Sequence, residues 1–152
     1  MIPKVVAYIT RQRHECTEVL VFQHAHRPDA GVQVPGGTVH PGEDLVSALW
    51  REIEEETGLT DLRLVGHLAT ASFHADWRGE WQERNVFHVA AVSEVRDTWT
   101  HFVRSDGEDK GLEFVFSWRP IDEAGPELRW GQGDWLHLLT GAQSEGQQED
   151  CR

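Results

Sequence analysis

Apolar positions change their period several times along this chain, and each change marks an element. "KVVAYITR" (4–11) and "EVLVFQHA" (18–25) are rich in β-branched and aromatic residues. They predict two strands joined by a polar turn. "GVQVPGGTVHPGE" (31–43) is dense in glycine and proline, which predicts a loop with one short strand at its start. From Asp44 the period lengthens. Leu45, Leu49 and Ile53 recur at i, i+4 and i+8, with Val46 and Trp50 beside them. That spacing predicts a helix with one buried face, N-capped by Asp44 and stopped at Gly58. Two further strands are expected at 62–73 and 84–92, bridged by a long hairpin loop at 74–81. Another pair is expected at 98–105 and 112–118 around the turn 106–111. Residues 130–141 end in a short C-terminal helix, and 142–152 read as a flexible polar tail. With no internal repeat and no dividing linker, residues 1–141 are expected to form one domain of mixed α and β structure.

The chain's 152 residues suffice for one real core. Its formal charge of −12 argues against a nucleic-acid partner, because phosphate backbones demand a basic footprint. Cys16 and Cys151 form no CxxC pair, so neither a zinc ribbon nor a disulfide scaffold is expected. No run approaches 18 apolar residues, and no signal-like segment opens the chain. The expectation is a cytoplasmic protein with no membrane association.

The stretch "REIEEETGL" (51–59) carries four glutamates. At about 100° per residue, Glu55 and Glu56 fall roughly 60° and 40° to either side of Glu52, while Glu54 points away. Three carboxylates thus share one arc. Such a run is ordinarily a solvated helix face. Here, however, it lies towards the helix C-terminus, where the macrodipole disfavours negative charge. Converging carboxylates need a counter-ion, or one must take a proton, and hard oxygen donors suit Mg²⁺, Mn²⁺ or Ca²⁺ rather than zinc. Arg51, four residues before Glu55, can brace it, and Glu43 can reach the same guanidinium if the loop folds back.

Loop and helix together, "PGGTVHPGEDLVSALWREIEEETGL" (35–59), present Gly37, Glu43, Arg51, Glu52, Glu55, Glu56 and Gly58 at fixed intervals. This pattern resembles the Nudix box, the signature of the Nudix hydrolase family. Seven such residues at typical frequencies of about 6% coincide by chance roughly once in 10⁸ windows. The resemblance implies a Nudix-type α/β/α sandwich with a mixed central sheet, a catalytic loop-helix and a C-terminal helix. It implies cleavage of a diphosphate linkage in a small-molecule nucleoside diphosphate derivative, with Mg²⁺ or Mn²⁺ as cofactor. Carried over by position, Glu52, Glu55 and Glu56 would be metal ligands, joined by a carbonyl of Gly36 or Gly37. Glu43 and Arg51 would hold loop and helix in register. The glycines also suit a tight turn alone. The general base comes from the box or a later loop; Glu113 is the candidate, with Glu80, Glu83 and Glu108 as rivals. A homodimer is common in such proteins.

Substrate-binding candidates are fewer. Trp77 and Trp81 flank the tip of "DWRGEW" and could stack on a base, or serve hairpin packing or a dimer contact. Arg27 could reach a phosphate or be a surface charge. His24 and His26 share a strand face without an evident third metal ligand. Residues 60–119 hold no proline and no tyrosine, so the subfamily markers associated with ADP-ribose or dinucleoside polyphosphates are absent. Two other readings stand beside hydrolysis: a catalytically inactive nucleotide-binding or protein-interaction module on the same fold, and a metal-dependent isomerase on a related scaffold.

Overall fold

Alternation along the strands decides on which side of the sheet each side chain lies. In β1 (Ile2–Arg13), Val5, Ala7 and Ile9 join one buried cluster, while Val6 and Tyr8 join another. In β2 (Cys16–His24), Leu20 and Phe22 go to the first, and Val19 and Val21 to the second. The computed structural model, which describes residues 1–105, 107 and 110–140, therefore has two cores back to back. One is closed by Ala48, Leu49 and Ile53 of α1 (Leu45–Thr57). The other is closed by Ile121 and Ala124 of α2 (Ile121–Ala124) and by Leu139 of α3 (His137–Thr140). Helices thus cover both faces of a mixed sheet, the sandwich expected from the sequence.

The remaining strands are β3 (Gly36–Thr38), β4 (Leu62–Ala75), β5 (Glu80–Ala91), β6 (Trp99–Phe102) and β7 (Glu113–Pro120). Their order is β4-β5-β1-β2-β7-β6, with β3 also on β1. β1 runs parallel to β5, and the other pairings are antiparallel. One edge of β1 is shared: Thr10–Arg13 pair with β2, whereas Lys4–Val6 pair with β3. The sheet therefore opens between β1 and β2, and the segment around β3 enters the gap.

Several boundaries differ from the sequence reading. The hairpin between β4 and β5 is a turn at 76–79, not a loop at 74–81. His74 and Trp81 face each other across the ladder with ring centroids 5.0 Å apart, so pairing runs further than their mixed polarity suggests. Gly79, at φ +64°, closes the turn. The short strand of the 31–43 segment is central rather than initial, because Gly36 and Gly37 pair with β1. α2 was not expected; four residues are too few to show a helical period. Cys16 is buried and carries no free thiol. Glu108, Cys151, most of the 106–111 turn and the 142–152 tail lie outside the described residues. Among those described, no helix is long and apolar enough to cross a membrane.

Candidate active site

α1 forms where its sequence allows it to start and stop. Asp44 accepts the Ser47 N–H at 2.8 Å, and Gly58 takes the left-handed conformation while donating to the Glu54 carbonyl. The last turn is then tied to the neighbouring strand. The Glu55 carbonyl accepts from the Arg104 N–H at 2.9 Å and from His101 Nε2 at 3.1 Å. The Thr57 carbonyl accepts from Trp99 Nε1 at 3.0 Å. These donors satisfy carbonyls that a helix end leaves without partners, and they fix the turn that carries the acidic residues.

Arg51 uses all five of its donors. Nε and Nη2 grip both oxygens of Glu43 at 2.8 and 2.9 Å, Nη2 also reaches the Thr38 carbonyl at 2.9 Å, and Nη1 bonds Glu52 at 3.0 Å and Glu55 at 3.3 Å. The Arg51 guanidinium, helped by the His40 N–H, pulls the Glu43 carboxyl down to about 2. The Arg51 pKa is in turn raised, chiefly by Glu43. One cation thereby locks the β3 loop onto the helix.

Glu52, Glu55 and Glu56 line one cleft of about 440 Å³ together with Lys4, Gly37, His40 and Arg78. Glu52 and Glu55 share one Arg51 nitrogen, so the bonded oxygens lie no more than about 6 Å apart. Glu56 is only 5% exposed and accepts the Gly36 N–H at 3.0 Å. Glu54 is exposed. Among the described residues, no three His, Cys, Asp or Glu side chains stand in a ready-made metal cluster. Arg51 supplies the positive charge that draws Glu52 and Glu55 to itself. The donor set is nonetheless all oxygen, on one rigid turn, and it faces a cradle that only glycine leaves open. A Cβ on Gly37 would lie 2.1 Å from the Glu52 carboxyl carbon. These residues fit a hard divalent cation.

The two glycines should fail differently when substituted. A Cβ on Gly36 would lie 2.5 Å from the Val5 carbonyl oxygen, which is backbone and cannot move aside. Gly36→Ala is expected to lower the unfolding midpoint by roughly 4–8 °C. Gly37→Ala meets only the end of a flexible side chain, so it should melt near the native temperature while displacing Glu52. Calorimetry and a rate assay on both variants check this; a Gly37→Ala protein of native activity would remove Glu52 from the chemistry.

A second cleft of about 500 Å³ shares Lys4, Gly37, Glu56 and Arg78 with the first, so the two form one groove. It opens where β1 and β2 part. Phe22 and Phe114 stack at 4.1 Å on one side, and Trp77 and Trp130 meet at 4.8 Å on another. Arg27 and His24 also line it.

The sequence candidates divide accordingly. Glu52, Glu55, Glu56, Arg51, Gly37, Arg27 and Trp77 line the groove. Gly36 lies on its aromatic part, while Glu43 and Gly58 act on the loop and the helix end. Trp81 lines neither cleft and packs on His74. Glu113 lines neither and bonds His26 at 2.9 Å; Glu80 and Glu83 also lie outside the linings. Sequence reasoning missed Lys4, Arg78, Arg84, Phe22, Phe114, Trp130 and Gln132. Only Arg84 left a signal, a charge at an inward position of a strand.

The family model of the NUDIX domain matches residues 2–139. An RNA pyrophosphohydrolase of Caulobacter vibrioides is 29% identical over 120 residues, which cover 70% of this chain and 64% of that protein. The chain thus spans less than two thirds of that relative's length. In fold, the chain is similar to a C. elegans Ap4A hydrolase, with a TM-score of 0.69 and 20% identity over 93% of this chain and 96% of the other. It is equally similar to the E. coli dihydroneopterin triphosphate pyrophosphohydrolase, with a TM-score of 0.69 and 19% identity over 90% and 93%.

Proposed function

The chain belongs to the NUDIX domain family, and from that premise we propose that it hydrolyses a diphosphate linkage in a nucleoside diphosphate derivative. The observation that supports this most is the continuity of the groove. An acidic end built from Glu52, Glu55 and Glu56 meets an aromatic end built from Phe22, Phe114, Trp77 and Trp130. A nucleotide has the same two-part character, a densely charged diphosphate joined to a flat ring.

Glu52, Glu55 and Glu56, with the Gly37 carbonyl, would hold Mg²⁺ or Mn²⁺. When bound there, such an ion would supply charge neutralisation at the phosphate and a more acidic attacking water. Lys4 and Arg78, where the two clefts meet, attract the phosphate oxygens. The aromatic walls exclude water from the ring and orient it. A carboxylate of α1 accepts the water's proton, because Glu113 is engaged by His26 and lines neither cleft. An acidic chain of this kind fits the cytoplasm.

The alternative, nucleotide binding without turnover, draws on the hold that Arg51 has on Glu52 and Glu55. Incubating the protein with nucleoside triphosphates, dinucleoside polyphosphates and nucleotide sugars, with and without Mg²⁺ or Mn²⁺, separates the two. Metal-dependent release of phosphate, pyrophosphate or a mononucleotide is expected from at least one. Tight binding across the panel with no cleavage would overturn the hydrolase reading.

A further inference from the structure

Arg84, on β5, is a buried charge without a contact ion pair. It is only 5% exposed, yet among the described residues no carboxylate lies within the 4.0 Å of an ion pair. Nη1 donates to the Trp130 carbonyl at 2.5 Å, and Nε to Gln82 Oε1 at 3.3 Å. Both acceptors are neutral, and donors remain on a guanidinium that has five. One face of the group is covered by the Phe73 ring, 3.6 Å from the guanidinium carbon. Its edge remains, and Arg84 lines the aromatic end of the groove. The acid that acts on its charge is Asp134, which is exposed and forms no ion pair with it. Burial pulls the Arg84 pKa down to about 10, more than the opposing pull of Asp134 makes good.

A desolvated cation is costly unless an anion joins it. An arginine needed only to prop the Trp130 turn would be served as well by a neutral donor. We propose that Arg84 anchors an oxyanion subsite, taking a phosphate or carboxylate carried by the substrate on the moiety held in the aromatic end of the groove. The inference rests on the reading of the groove as a nucleotide-derivative site. It narrows that reading to substrates with a second anionic group. The planar fork of arginine suits both oxyanions, and the neutral Gln82 beside it leaves its charge for the ligand.

Two matched pairs test the subsite by calorimetric titration in EDTA, where turnover plays no part. Adenosine 5′-monophosphate against adenosine 3′,5′-bisphosphate reports a phosphate, and UDP-glucose against UDP-glucuronate reports a carboxylate. The native protein is expected to bind the more anionic member of at least one pair about 10-fold tighter or more. The pair that responds identifies the oxyanion, and Arg84→Met should erase that gap. Equal affinity within both pairs for the native protein overturns the proposal, whether or not the variant folds. A gap that persists in a folded Arg84→Met protein overturns it too. So does a variant that weakens every ligand alike, since that is the signature of a prop. Binding of none of the four would sink the groove reading together with the subsite, whereas equal binding within pairs would sink the subsite alone.

Discussion

Glu56→Gln should lower the rate of diphosphate hydrolysis by roughly 10²–10³-fold, comparable to the loss of one preorganised charge-stabilising group. Glu56 is the most secluded of the three acids in the cleft, and its Oε1 accepts the Gly36 N–H at 3.0 Å. A glutamine has nearly the same shape and keeps a carbonyl oxygen to accept that bond, so the β3 loop stays in place. What disappears is one negative charge at the point where the acidic and aromatic clefts meet. The unfolding midpoint should therefore stay within a few degrees of native, while the concentration of Mg²⁺ needed for half-maximal activity rises. A folded Glu56→Gln protein that kept the native rate would remove Glu56 from the chemistry.

Arg51→Met should have a large effect on stability. Glu43, Glu52 and Glu55 lose their shared cation together, and the Thr38 carbonyl loses a donor. A fall of roughly 5 °C or more in the unfolding midpoint at neutral pH is expected. The pH dependence follows from the sign of the Glu43 shift. Its folded pKa, about 2, lies below its ordinary 4.5. The stabilisation from this ionised pair is therefore complete above about pH 4.5 and is lost as the pH falls towards 2. In Arg51→Met the cause of the shift is gone. The gap in midpoint between the native and variant proteins should be flat at and above neutral pH and should narrow below pH 4.5. Melting curves from pH 2 to pH 8 measure it, and a gap that did not shrink in acid would show that the clamp is not the source of the loss.

Much of the fold is written in local periods. Strand alternation in "KVVAYITR" and "EVLVFQHA" placed β1 and β2 within a few residues of their observed limits. The spacing of Leu45, Leu49 and Ile53 placed α1 between Asp44 and Gly58, its observed caps. The limits that differed lie where local cues are weakest. β4 and β5 extend into residues 74–81 because cross-strand contacts, such as Trp81 on His74, favour pairing beyond the last apolar alternation. α2 is too short to be read from any period.

The candidate site divides on the same line. The sequence by itself determined that Glu52, Glu55 and Glu56 occupy one arc of a capped helix, because helix geometry relates residues three and four apart; that Gly37 and Glu43 meet this arc was implied only by the resemblance of loop and helix to the Nudix box. Only the tertiary structure decided what faces that arc. Lys4 from β1, Phe22 from β2, Arg84 from β5, Phe114 from β7 and Trp130 before α3 come from strands and turns far apart in the chain. They meet because β1 divides its edge between β2 and β3, and that register is set by long-range pairing that no local period encodes.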